Sequence, residues 1–126
     1  MKLFLSLSLF TFLFTTASFA TDPGCREIQI KTEKIGEAVH WMPEKIEVHP
    51  GEKVTFVAKH DLEGGFDYHG LLIPALKVSS QVDRHKVTRV DVSVPKDFKV
   101  GEYPIGCQFH PKHVGALLIV KPSSPD

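Results

Sequence analysis

Near the end of the chain, the stretch from Gly101 to Lys121, GEYPIGCQFHPKHVGALLIVK, places one thiol and two imidazoles, Cys107, His110 and His113, within seven residues. A sulfur and two ring nitrogens suit copper or zinc far better than magnesium or calcium, which take oxygen ligands. The stretch reads as a strand ending at Cys107, a tight loop, and a return strand from Val114 to Val120. On such a loop the spacing Cys-x-x-His-x-x-His lets the three side chains converge, whereas two histidines on a helix need i, i+4 spacing. The plain alternative is a buried cysteine, acting as a small hydrophobe, beside two surface histidines.

Because Cys107 and His110 come from one loop, a closed site needs a ligand from a distant segment. His69 is the best placed. It begins the apolar run His69-Gly-Leu-Leu-Ile-Pro74, in which Leu71 and Ile73 can line a core and Pro74 stops the strand. The other histidines are expected to be solvated. His40 and His49 flank an edge-like strand, His60 precedes Asp61 and Glu63 in an acidic loop, and His85 opens a polar strand. Glu63 could supply an oxygen ligand if its loop folded inward.

The elements that must position these residues are strands. Glu27–Lys31 and Lys45–His49 alternate polar and apolar residues, Val54–Ala58 is a β-branched run, and Lys86–Val94 alternates throughout. Pro50-Gly51 marks a turn. Thr32–Val39 is the least clear segment, and Ala75–Asp83 reads as an excursion between strands. No segment has a convincing helical period. Several short strands between Gly/Pro turns predict an all-β fold, an antiparallel Greek-key β-sandwich or barrel. The closing Pro-Ser-Ser-Pro reads as disordered.

Residues 1–20 have Lys2, then a Leu/Phe-rich core, then Ala17-Ser-Phe-Ala20, the pattern of a secretory signal peptide. The apolar run is too short to span a bilayer. Cleavage would leave 21–126, or 106 residues, as one domain with 14 basic and 15 acidic side chains. That balance offers no basic face to nucleic acid and no polybasic membrane patch. An exported chain with two cysteines, Cys25 and Cys107, suggests one disulfide by default. Against it, Cys25 stands close to a chain end that is expected to be loosely held, and Cys107 has two histidines close behind it. A Cys107 thiolate is preferred, and Cys25 is left unassigned.

Trp41-x-Pro43-x-x-Ile46-x-Val48-x-x-Gly51-x-x-Val54-x-Phe56, then His69-Gly-Leu-Leu-Ile-Pro74, then Gly101-x-Tyr103 leading to Cys107-Gln-Phe-His110-Pro-Lys-His113-Val-Gly115, resembles the cupredoxins in order and spacing. The His-x-x-x-Ile-Pro strand is similar to the copper domain of cytochrome oxidase subunit II, whose first histidine ligand falls on His69. That domain has two bridging cysteines where this chain has one, so the resemblance implies a mononuclear site with one copper, Cu(I) or Cu(II), per chain. The ligand loop is similar to that of amicyanin, which implies Cys107 and His110 as equatorial ligands and places the weak axial methionine at position 113, here His113. It also resembles nitrosocyanin in part, although that protein has a glutamate at the first-ligand position and a longer loop.

A neutral imidazole donates more strongly than a thioether, so an axial His113 should weaken the copper–thiolate bond and favour Cu(II). Two roles are expected from this reading: one-electron transfer with a redox partner protein, or copper buffering, storage or delivery with a donor or acceptor protein, in either case in the periplasm or outside the cell. An enzymatic role has no dedicated acid or base in the sequence to support it.

Overall fold

The computed structural model of the chain describes residues 25–110 and 115–123. Nine strands account for most of them: β1 Cys25–Ile35, β2 Ala38–Met42, β3 Lys45–Val48, β4 Lys53–Lys59, β5 Tyr68–Ile73, β6 Val78–Asp83, β7 Val87–Ser93, β8 Gly101–Ile105 and β9 Ala116–Val120. A short 3-10 helix, Pro74–Leu76, follows β5, so the strand stops at the proline as its sequence predicts. The described residues contain no α-helix.

One sheet has the order β2-β1-β4-β7, a second β3-β9-β8, and β5 and β6 form a hairpin. The hairpin joins the end of β8 through a bridge between Leu72 and Gly106, whose amides and carbonyls exchange bonds of 3.0 and 2.8 Å. Alternation explains the burial. In β1, Ile28, Ile30 and Thr32 turn inward while their neighbours stay exposed, and β3 buries Ile46 and Val48 in the same way. The central strand β4 is buried from Val54 to Ala58 because it is paired on both sides. Phe56, Trp41, Leu71, Ile73, Leu118 and Val120 form the middle of the core.

The all-β sandwich is as expected, with its sheets left open. Its pairing differs from a purely antiparallel arrangement. β1 runs parallel to β4 and β3 parallel to β9, so both sheets are mixed. Strands far apart in sequence can pair in either sense, and no local pattern records which. Two segments without a clear period in the sequence prove to hold strand. The unclear segment after Thr32 is the end of β1, a turn at Gly36 and the start of β2, and the supposed excursion is mostly β6. In β6 only Val78 and Val82 are buried, four positions apart with Ser79, Ser80 and Gln81 between them. That spacing hides a period of two.

No helix among the described residues is long and apolar enough to cross a membrane. The stretch 1–20, read as a signal peptide, lies outside the described residues, as does His113.

Candidate metal centre

The strand period fixes His69 first. His69, Leu71 and Ile73 share the inward face of β5, and all three are buried. Cys107 follows two residues after β8, where the Leu72–Gly106 bridge ties the chain to β5. Trp41 reinforces this joint. Its fully buried indole donates from Nε1 to Gly70 O at 3.1 Å and reaches Gly106 O at 3.3 Å, bracing the backbone next to both His69 and Cys107. Where the return strand begins, Gly115 lies so close to β8 that an added Cβ would fall 1.5 Å from Ile105 O. Only glycine permits that approach.

These constraints bring three donors together. Cys107 Sγ and His110 Nδ1 are 3.5 Å apart, and His110 Nδ1 and His69 Nδ1 are 3.2 Å apart. One ligand atom from each of the three residues lies within 4.8 Å of the others. Nitrogen and sulfur donors bound to one ion at their usual lengths of about 2.0–2.3 Å stand about 3.3–3.8 Å apart in tetrahedral or trigonal geometry. The 3.5 Å spacing lies within that range and the 3.2 Å spacing just below it, so the three residues fit a single soft metal ion after a small adjustment. Two ring nitrogens at 3.2 Å can share one proton at most, and a metal would displace it.

The electrostatics agree with this. Burial pushes the His110 imidazole below its ordinary pKa, and the nearby His60 adds to the effect, which favours the neutral form that binds metal. The Gly70 amide donates to Cys107 Sγ at 3.0 Å, which fixes the sulfur and offsets negative charge on it. Aromatic rings surround His110. Phe66 stacks on it with centroids 3.7 Å apart and planes 27° apart, and Tyr68 lies at 5.7 Å and packs edge-on against Phe109. Phe66, Tyr68 and Phe109 keep 58%, 38% and 41% of their surface exposed, so apolar rings border the centre on its outer side.

His69, Cys107 and His110 are thus brought together as the sequence suggests. Glu63 is not among them. It faces outward and its Oε1 meets His85 Nε2 at 2.8 Å. His85 is exposed, as expected, whereas His40 and His49 are half-buried. His40 stands 3.6 Å from Glu44, and His49 Nδ1 lies 3.1 Å from the carbonyls of Lys121 and Pro122.

His60 corrects the expectation of a solvated residue. It is 1% exposed, bonded through Nδ1 to Thr32 Oγ1 at 2.8 Å and through Nε2 to Phe66 O at 2.9 Å. Its acidic sequence neighbours point to the surface, and its burial comes from partners that the local sequence does not reveal. Phe66 and Trp41 also support the site without a ligand-like signal in the sequence. The tryptophan, alone of its kind in the chain, was the one cue available.

Both cysteines are free. Cys25 pairs with Lys53 in the β1–β4 register, while the site lies beyond the Lys59 end of β4. Seven residues of strand span about 23 Å, far beyond the reach of a disulfide.

A comparison of the sequence with curated proteins finds no match. Solved structures share the fold at low identity. An apo copper binding protein studied by NMR is 18% identical with a TM-score of 0.58, over 81% of this chain and 93% of that one. Auracyanin A, a blue copper protein of Chloroflexus aurantiacus, is 16% identical with a TM-score of 0.57, over 78% and 100%. The metal binding domain of the Cu(I) exporting P-type ATPase CopA of Streptococcus pneumoniae is 13% identical with a TM-score of 0.62, over 81% and 91%. The family model described as a cupredoxin-like domain matches residues 3–120. With that match over nearly its whole length, the chain belongs to the cupredoxin-like domain family, and the family and the donor set together support copper as its cofactor.

Proposed function

We propose that this protein is an exported mononuclear copper protein that carries one electron at a time. The reading is carried by the convergence of His69 from β5 with Cys107 and His110 from the loop after β8, inside a braced sandwich. Copper, when bound, supplies a one-electron couple. The chain's own residues do the rest. Trp41, the Leu72–Gly106 bridge and the Gly70 amide hold the ligands in place, so that little needs to rearrange when the charge at the centre changes. Tyr68 and Phe109 place partly exposed rings beside His110, a surface suited to an apolar docking partner.

His113 is assigned as the fourth, axial ligand, from its place in the loop and from the resemblance. Export rests on the leader-like residues 1–20. The role is not catalytic in this reading, because Glu63 and His85, an acid and an imidazole that could exchange protons with a substrate, pair with each other at the surface.

Copper buffering or delivery is the second reading, favoured by one observation: Phe66 lies flat on His110 and covers the ligand that an electron would leave by. The two roles separate by experiment. One equivalent of Cu(II) added to the mature protein should give a sulfur-to-copper absorption band and a single EPR species, with fast reversible voltammetry if it is an electron carrier. A protein that binds Cu(I) tightly, shows no reversible couple and passes copper to an acceptor would support delivery instead. Absence of the sulfur-to-copper band would refute the ligand set.

A further inference from the structure

Phe66 reaches His110 from a segment with little packed beneath it. A cleft of about 410 Å³ separates residues 62–65 from Lys34, Glu37 and Val39 of the β1–β2 hairpin, and His60 and His69 line it as well. Gly64 and Gly65 have φ of +74° and +83°, with open space where their Cβ atoms would be. Such a segment is held by its anchors, and several of them meet at the Phe66–Asp67 backbone. Phe66 O accepts from His60 Nε2 and from Arg84 Nη2, both at 2.9 Å. Asp67 O accepts the Arg84 amide at 2.7 Å, and Arg84 Nη1 meets the Asp67 carboxylate at 2.9 Å.

The Nε2 proton of His60 follows from its partner. A carbonyl can only accept, so Nε2 carries a proton, while Nδ1 stands 2.8 Å from the Thr32 hydroxyl, which can donate or accept. The buried His60 ring therefore has both nitrogens satisfied and points its Nε2–H at the Phe66 carbonyl. Arg84 makes the same contact from a more solvated position, where water competes for it.

We propose that His60 is a positioning residue of the metal centre: its Nε2–H fixes the Phe66 carbonyl so that the Phe66 ring lies flat on His110 and closes that side of the centre to solvent and foreign ligands. The proposal deepens the metal-centre reading and rests on it only for its consequence at the metal. The contacts themselves are tested without copper.

The experiment uses the metal-free mature chain with Cys25→Ser, so that Cys107 is its sole thiol. Two quantities are read: the upfield ring-current displacement of the His110 ring protons by Phe66 in NMR spectra, and the rate of Cys107 alkylation by iodoacetamide. Phe66→Ala should remove the displacement and speed alkylation. His60→Leu should reproduce both effects, with a rate increase of about two- to tenfold, the range that one hydrogen bond sets. His60→Gln should restore the wild-type values, because its amide nitrogen can reach the position of Nε2. The double variant His60→Leu with Phe66→Ala should add nothing to Phe66→Ala alone.

A His60→Leu protein that keeps the ring-current displacement and the slow alkylation, while Phe66→Ala loses both, overturns the proposal. If His60→Leu fails to fold, Thr32→Val decides. By freeing the His60 ring to turn it should shift both readings part of the way, and no change would refute the role. With copper added, azide should bind more tightly to His60→Leu than to wild type. A chain that takes up no copper would refute the metal reading, while the metal-free measurements would still decide for or against His60.

Discussion

Cys25 opens β1 at one end of the sandwich, with its sulfur 3.2 Å from Thr55 Oγ1, and that hydroxyl donates its proton to Asp91 at 2.6 Å. Cys107 follows β8 at the other end, where the Gly70 amide donates to the sulfur at 3.0 Å and His110 Nδ1 lies 3.5 Å away. The hydrogen bonds therefore run in opposite senses. At Cys25 the sulfur must donate, which requires the S–H. At Cys107 the sulfur accepts, as a thiolate or a metal-bound sulfur can. The same side chain thus donates a hydrogen bond at one pole and accepts one at the other, where it stands beside the imidazole of a second candidate ligand.

The largest test of that contrast is to remove each sulfur in turn. Cys107→Ser should abolish the sulfur-to-copper absorption band and weaken copper binding by more than about a hundredfold, beyond what loss of a supporting contact costs. Cys25→Ser should leave both unchanged in a copper titration followed optically. A band that disappears with Cys25 would break the comparison.

Next in size is Gly115→Ala. Its Cβ would collide with the Ile105 carbonyl, a backbone atom that cannot swing aside, so urea denaturation should register a loss of about 1–3 kcal/mol, typical of overpacking. The altered loop should also broaden the EPR spectrum of the copper form. A variant with wild-type stability and spectrum would mean that the ligand loop is not pinned at this point.

Acid should separate the two poles of the metal-free protein. Burial, with help from His60, lowers His110 below its reference value of 6.5. The folded state then binds fewer protons than the unfolded state, so stability is complete above pH 6.5 and falls as the pH drops through 6.5 toward the folded pKa. At the Cys25 pole, burial works to raise Glu52, but the Arg26 guanidinium and the His49 amide outweigh it, and a hydrogen bond from Lys121 lowers Glu47. Those carboxylates contribute above their reference value of 4.5, and their contribution is lost as the pH falls through their lower folded values. Urea midpoints measured against pH should therefore decline in two stages. His110→Gln should remove the upper stage alone, and Arg26→Gln should shrink the lower.

The smallest expected effect concerns His113. If it is the axial ligand, His113→Met should strengthen the blue absorption and raise the reduction potential while copper stays bound, since a thioether donates less to Cu(II) than imidazole does. Voltammetry and optical spectra check this together. An unchanged spectrum would leave the centre with the three ligands His69, Cys107 and His110.

The sequence by itself determined the elements whose information is local. Alternation in β1, β3 and β7 marks strands because a side chain's face repeats every two residues, and the β-branched run of β4 marks another. The spacing Cys107-x-x-His110 marks a chelating loop because both ligands share one short stretch of backbone, and Pro74 marks the end of β5. Only the tertiary structure decided what depends on chain segments meeting. The parallel pairing of β1 with β4, the bracing by Trp41, and the approach of His69 to His110 across 41 residues of sequence are of this kind.

His60 shows the reason most directly. Beside Asp61 and Glu63 its local sequence is that of a surface loop. It is buried because Thr32, 28 residues earlier, and the returning Phe66 carbonyl satisfy both of its nitrogens and remove the cost of taking a polar ring out of water. Periodicity and spacing belong to a segment, whereas burial and hydrogen-bond satisfaction belong to the folded chain.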